Sequence, residues 1–227
     1  MWTESILHGI RARLGNTFIL HGSPGDLVPT PESPARYVSL TQFLRECVFD
    51  GRHAVIEYNR ADGPVFHSRQ SHAAFAAKVS VYDSVHGTNF AQTLPRDPAT
   101  FLPLLDSFLK HAVMGDDRIS VAIILPYAET LIPESSGGSM SPEDRVARVF
   151  LQKWSTDPGL LAADITFVLI TENLADIDAR MVRSPQTVEI EIPRPNEDER
   201  LRFIRALRPD AWFKASSDLS ADQLADE

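Results

Sequence analysis

Residues 119–133, with the sequence ISVAIILPYAETLIP, decide the fold that we predict for this chain. The five residues 121–125 are all apolar, and the run stops at Pro126. A short run that is apolar at every position is typical of a strand buried on both faces, as in a parallel sheet covered by helices. Pro126 has no backbone N–H for a sheet ladder, so we expect the strand to end there. Ligands of open α/β sheets bind beyond the carboxyl ends of the strands, and we therefore expect any functional site to involve the residues just after this run.

Strand candidates alternate with helical patterns along the rest of the chain. Further apolar or alternating runs occupy residues 17–21, 53–58, 165–170 and 188–192. Apolar residues at helical spacing mark residues 3–14, 37–50, 70–85, 98–113, 141–155 and 197–207. This alternation, with connections long enough for parallel crossovers, predicts an α/β fold. We expect a three-layer αβα sandwich with a mainly parallel sheet of about five strands.

Composition limits the classes of partner. The 227 residues carry a formal net charge of -9, which argues against nucleic acid, because phosphate binding needs clustered Lys and Arg. Cys47 is the only cysteine in the sequence, so no internal disulfide can form, and we expect a reducing, cytoplasmic location. No run of the sequence is long and apolar enough for a membrane span, and its start lacks the pattern of a signal peptide.

Four segments, taken in order, resemble the nucleotide-binding core of the AAA+ ATPases. They are VAIILPYAETLIP (121–133), ITFVLITENLADID (165–178), VEIEIPRPNEDERLRFIRAL (188–207) and DLSADQLADE (218–227). The resemblance places them at the Walker B strand, the sensor strand, the fifth strand with the first lid helix, and a later lid helix that the chain does not finish. The resemblance covers roughly residues 53–227, and we expect an N-terminal helix, short strand and linker at 1–36, an AAA+-like core at 37–195 and the beginning of a truncated helical lid at 196–227. We therefore expect the chain to be part of a longer protein.

The phosphate-binding loop of that family is not intact in this sequence. Such a loop needs glycines, a Lys for the outer phosphates and a Ser or Thr for magnesium, but the chain contains no Gly-Lys-Ser/Thr. Two stretches could occupy its place, ILHGSPGDLV (19–28) and EYNRADGPVF (57–66). We take the second as the equivalent, because the first lies about a hundred residues before the central strand. Asn59, Asp62 and Gly63 would then stand at the cofactor-binding position, where the charge of Asp62 opposes phosphate.

The acids of the family are also displaced. The resemblance puts the magnesium-holding Asp at Pro126 and the water-activating Glu at Tyr127, neither of which can do that chemistry near neutral pH. The nearest acid is Glu129, and Asn173 matches the sensor residue, so these two are the candidate catalytic residues. The alternative interpretation is that Glu129 is a solvated or structural acid and that Asn173 is a turn-forming residue.

Two arginines lie in the region where the family carries arginine fingers. They are Arg180 and Arg183, whose spacing does not match the family well. Ordinary surface arginines are the alternative interpretation.

The resulting hypothesis is a degenerate AAA+-like module. It would act in the assembly or regulation of a larger ATP-driven protein-remodelling machine, with hydrolysis carried by another domain. We expect no cofactor and no metal for this segment, with ATP and Mg²⁺ used elsewhere in the full-length protein. The expected partners are other protomers, in a ring oligomer, or a downstream ATPase domain. The alternatives are a nonstandard ATP hydrolase that uses Glu129 and Asn173, and a non-catalytic α/β protein-binding module.

Overall fold

The apolar run after residue 120 forms a strand inside a six-stranded sheet. The computed structural model describes residues 1–114, 116–134, 140–207 and 220–226. The strands, in chain order, are β1 (Thr17–Gly22), β2 (Val28–Pro29), β3 (Tyr37–Val38), β4 (Ala54–Asn59), β5 (Gly63–Val65), β6 (Val121–Pro126), β7 (Ile165–Ile170) and β8 (Thr187–Ile192). All six residues of β6 are buried, as predicted for the centre of a parallel sheet.

The helices fill the intervals between the strands. They are α1 (Trp2–Arg11), α2 (Leu40–Phe43), α3 (Arg69–His86), α4 (Pro98–Val113), α5 (Pro142–Thr156), α6 (Pro158–Ala162), α7 (Ala179–Val182), α8 (Glu197–Leu207) and α9 (Ala221–Asp226). A π turn at Leu44–Val48 continues α2, and short 3-10 turns stand at Ala128–Thr130 and Leu174–Asp176. Among the helices in the described part of the chain, none is both long enough and apolar enough to cross a bilayer.

The chain forms two units, and the first contains the six-stranded sheet. It comprises Met1–Gly22 and Gly51–Ile192. The strand order is β5-β4-β6-β7-β1-β8, and all neighbours pair in parallel except β4 and β5. The predicted mainly parallel α/β sheet is confirmed. The sheet has six strands instead of about five, because the three residues of β5 add an antiparallel edge strand that is too short to show an alternating pattern.

Helices cover both faces of this sheet. On one face, Trp154 of α5 stacks on Phe167 of β7 with ring centroids 5.6 Å apart, and Phe101 of α4 stacks on Tyr58 of β4 at 4.5 Å. On the other face, α1 lies so close that a Cβ added at Gly9 would stand 2.7 Å from Cε1 of Phe18. The three-layer arrangement that the buried strands required is therefore present.

The position of β1 differs from the predicted division of the chain. The sequence suggested an N-terminal segment at 1–36 outside the 37–195 core. In the structure, β1 lies between β7 and β8, with Ile19 opposite Leu169 on one side and Glu189 on the other. The strand belongs inside the sheet because its first four residues, 17–20, are buried. The first unit accordingly includes residues 1–22.

The second unit comprises Ser23–Asp50 and Pro193–Glu227. Within it, Tyr37 meets Phe203 of α8 edge-on at 4.8 Å, and Nε of Arg200 donates to the carbonyl of Ala225 at 2.7 Å. The predicted helix at 37–50 is shorter, since it consists of α2 and the π turn that contains the partly buried Cys47. Residues 135–139, and the segment that joins α8 to α9, lie outside the described residues.

Candidate functional site

The carboxyl edge of the sheet brings together the ends of three neighbouring strands. Pro126 at the end of β6 is opposite Ile170 at the end of β7, and Leu20 near the end of β1 is also opposite Ile170. The residues that follow these strands therefore share one edge. This is the edge at which parallel α/β sheets bind ligands.

The turn after β6 presents an exposed tyrosine on a left-handed backbone. Tyr127 has φ 57° and ψ 44°, and its side chain is 65% exposed. Its carbonyl accepts from the backbone N of Thr130 at 2.9 Å and from Oγ1 of the same residue at 2.8 Å. A left-handed conformation costs a non-glycine residue about 1–2 kcal/mol. The buried Ala128 and Leu131 hold the turn in this shape, so the turn offers a phenol where the family resemblance required an acid.

Glu129 is partly enclosed in the first turn after this tyrosine. Its Oε2 is buried, and among the described residues it has no hydrogen-bond partner. A buried carboxylate oxygen without a donor carries a desolvation cost. The interpretation of Glu129 as a freely solvated acid does not fit this oxygen, whereas the catalytic interpretation remains a prediction.

Asn173 forms a local turn. Its Oδ1 accepts from the backbone N of Ala175 at 3.1 Å, and its Nδ2 donates to Asp176 at 3.4 Å. The side chain thereby caps the 3-10 turn at Leu174–Asp176. Within the described residues, no hydrogen bond joins Asn173 to Glu129, although both follow neighbouring strands.

The proposed equivalence of residues 57–66 with a phosphate-binding loop needs correction. Such a loop leads from a strand into a helix, but here the chain turns back at once into the antiparallel β5, and Asn59 pairs with Gly63. Oδ1 of Asn59 accepts from the backbone N of Ala61 and of Asp62, both at 2.9 Å, and its Nδ2 donates to Asp62 at 2.9 Å. Asn59, Asp62 and Gly63 are therefore the turn of a hairpin, and the polar groups of the first two close that turn.

The alternative stretch, residues 19–28, begins in β1, which lies between β7 and β8 in the sheet. Its Gly22 ends β1 with φ 104°, and a Cβ there would stand 2.5 Å from the carbonyl oxygen of Ile192. The N–H of Gly22 donates to the carbonyl of Glu172 at 3.0 Å. This glycine is therefore required by close backbone packing, and its N–H is already used by the neighbouring loop.

The two arginines after β7 lie beside α5. Arg180 on α7 and Arg183 just after it are exposed and line a cleft of about 560 Å³. The cleft was not predicted, because its two sides are more than twenty residues apart in the sequence. Arg148 of α5 donates to Asp178 at 3.0 Å and so fixes α7 against α5.

Strand order and site together define an α/β protein of the Rossmann-like type, with its candidate ligand edge at the carboxyl ends of β6, β7 and β1. Comparison with protein families matches residues 1–193 to the family described as AAA+ chaperone, N-terminal Rossmann-like domain. The chain belongs to this family, which confirms the AAA+ resemblance and includes the first 36 residues in the same domain. A search of curated proteins finds no match.

Proposed function

We propose that this chain is a non-hydrolysing module of a larger ATP-driven chaperone. It acts in the assembly or regulation of that machine, and another domain hydrolyses ATP. The observation that supports this most is the turn after β6, where Pro126 and the exposed Tyr127 stand in place of the two acids. Without a carboxylate there, the turn has neither a magnesium ligand nor a base at those positions.

The donor set at the carboxyl edge also fits ATP and Mg²⁺ poorly. A phosphate cradle needs free backbone N–H groups and a cation, as in glycine-rich loops that open a helix. At this edge the N–H of Gly22 donates to Glu172, and the N–H groups of Ala61 and Asp62 donate to Asn59. These donors support a role in which the chain contributes surfaces instead of nucleotide chemistry.

The partners of such a module would be proteins. We propose other protomers of a ring, or an ATPase domain of the same polypeptide, as the surfaces against which it packs. A cytoplasmic location is in keeping with a sequence that has a single cysteine. ATP and Mg²⁺ would act in the full-length protein, outside this segment.

Isothermal titration with ATP and Mg²⁺ tests the proposal. We expect no binding heat, and no rise in the melting temperature at millimolar ATP. A ligand present at 100 times its Kd would stabilise the fold by about 2.7 kcal/mol, which a thermal shift detects readily. Micromolar binding that disappears in Glu129→Gln would contradict the proposal. Val146→Ala, at an exposed position of α5, is the matched control for the effect of substitution alone.

The second candidate is a nonstandard ATP hydrolase that uses Glu129 and Asn173. The observation in its favour is the buried Oε2 of Glu129, which lacks a donor within the described part of the chain. If a neighbouring subunit supplies the missing ligands, turnover per chain rises with protein concentration. A constant, background-level rate across a hundredfold concentration range would exclude this candidate.

A further inference from the structure

A basic cleft lies in the first unit, between α5 and the segment that contains α7. From α5 it is lined by Val149 and Lys153, and from the other side by Arg180, Arg183 and Pro185. Among the described residues that line it, none is acidic. Because the chain as a whole has a formal net charge of -9, the cleft is a local concentration of positive charge on an acidic protein.

The two guanidinium groups are available to a ligand. Arg180 and Arg183 are exposed, and neither forms an ion pair with any residue that the structure describes. Lys153 differs, because its Nζ donates to Asp106 at 2.6 Å. Arginine offers a planar fork of donors that matches a carboxylate, so these two residues are the anion-binding part of the cleft.

An apolar surface adjoins the arginines. Val149 is 59% exposed, and Val146, which precedes it by three residues on α5, is 41% exposed. Residues three apart on a helix share a face, and exposed valines of this kind contribute affinity when a partner covers them. A ligand that matches both features carries carboxylates next to aliphatic side chains. A peptide has that character, whereas a nucleotide offers no aliphatic group to cover valines.

The walls of the cleft are held in place before any ligand arrives. Arg148 of α5 pairs with Asp178, whose backbone N also donates to the carbonyl of Ile132 at 3.0 Å. Asp178 is 3% exposed and Arg148 is partly buried, so the anchor is shielded from solvent on the Asp178 side. A site that is already formed loses less conformational entropy on binding.

We propose that this cleft binds an acidic, partly aliphatic segment of a partner protein. Carboxylates of the segment pair with Arg180 and Arg183, and an aliphatic side chain covers Val149. The choice of a protein as the partner rests on the proposed role in chaperone assembly, whereas the cleft itself rests on the placement of these side chains.

Fluorescence anisotropy with the full chain tests the proposal. The probe is a labelled peptide in which Glu and Leu alternate, and the comparison peptide replaces each Glu by Gln. We expect saturable binding of the Glu peptide that weakens with added salt, and about tenfold weaker binding to the double variant Arg180→Ala with Arg183→Ala. Arg11→Ala removes an exposed arginine from α1, which covers the other face of the sheet, and its affinity should equal that of the unaltered chain.

Three results would overturn the proposal. They are equal binding of the Gln peptide, an equal loss of affinity in Arg11→Ala, and no saturation at millimolar peptide. Val149→Ser supplies a second variant, which should lower the affinity for the Glu-Leu peptide and leave the affinity for a Glu-Gly peptide unchanged.

Displacement of the probe by ATP would assign the cleft to polyphosphate instead. Self-association that the double variant abolishes, seen by sedimentation velocity, would assign it to a second copy of the chain.

The two proposals fail separately. Binding of ATP to a chain that also binds the Glu-Leu peptide would refute the proposed non-hydrolysing role and leave the proposal for the cleft intact. Absence of peptide binding in a chain that also fails to bind ATP would refute only the proposal for the cleft.

Discussion

Removing the carboxylate of Asp106 should weaken the packing of α5 on α4 and so lower the free energy of unfolding. Oδ1 of Asp106 accepts from Nε1 of Trp154 at 2.8 Å and from Nζ of Lys153 at 2.6 Å, and Oδ2 pairs with Lys110 at 2.8 Å. In Asp106→Ala, the indole N–H of Trp154, a residue 1% exposed, loses its acceptor, which costs about 1–3 kcal/mol. Each half-exposed lysine pair adds about 0.2–1 kcal/mol. We therefore expect a loss of about 1.5–5 kcal/mol in the free energy of unfolding.

Asp106→Asn is the matched control, because it keeps an acceptor for Trp154 and removes only the charge. Its expected loss is about 0.5–2 kcal/mol, from the two lysine pairs. Urea unfolding followed by tryptophan fluorescence measures both variants. Equal losses in Asp106→Ala and Asp106→Asn would refute the assigned role of the bond to the indole.

The pH dependence of the same pair has a definite sign. Burial raises the pKa of Asp106, but the hydrogen bonds from Lys110, Lys153 and Trp154 outweigh it and leave this pKa below its usual value. A carboxyl whose pKa is lower in the folded state stabilises the fold above its unfolded pKa, about 3.9, and loses that contribution as the pH falls through the folded pKa. The difference in stability between the unaltered chain and Asp106→Asn should hold constant from pH 7 to pH 5 and shrink below pH 4. A difference that grows on acidification would show that the sign is wrong.

Two further substitutions separate packing from chemistry at the central strand. Ile123→Ala removes a fully buried side chain from β6 and should destabilise the fold by about 2–5 kcal/mol, measured in the same urea assay. A loss below about 0.5 kcal/mol would mean that packing does not constrain this strand as predicted. Tyr127→Ala should leave ATP turnover at the buffer background, measured as phosphate release, because the exposed phenol performs no chemistry in the proposed module. A phosphate-release rate that is above background in the unaltered chain and lost in this variant would contradict that role.

The sequence predicted the strands well because burial leaves a direct pattern. All five predicted strands form, and β6 and β7 are buried at every position, as their unbroken apolar runs required. The hairpin strand β5 was missed, since three residues between Asn59 and Phe66 are too few for a periodic pattern. Its absence from the prediction made residues 57–66 look like a strand-to-helix loop.

The placement of β1 could not be deduced from spacing along the chain. Residues 23–50 follow β1 and belong to the second unit, so they separate β1 from its sheet neighbours in sequence. Spacing therefore suggested that residues 17–21 lay outside the core, although their burial depends on β7 and β8. The basic cleft was missed for the same reason, because Val149 and Arg183 come close only after α5 and α7 are anchored by Arg148.

Packing constrains the residues of the central strand more than it constrains the residue that follows this strand at the carboxyl edge. Residues 121–126 are fixed by packing against β4 and β7, so their apolar character is constrained by the fold. Tyr127 is exposed, so packing places little constraint on the chemistry of its side chain. Near it, the backbone N–H of Ala175 donates to Asn173 and that of Gly22 donates to Glu172, although Oε2 of Glu129 has no donor among the described residues. The backbone donors of Ala175 and Gly22 are thus already used and are not free for phosphate, whereas Arg180 and Arg183 form no ion pair with any described residue and lie beside α5. Recognition by this chain is therefore best sought on its helices, away from the end of the central strand.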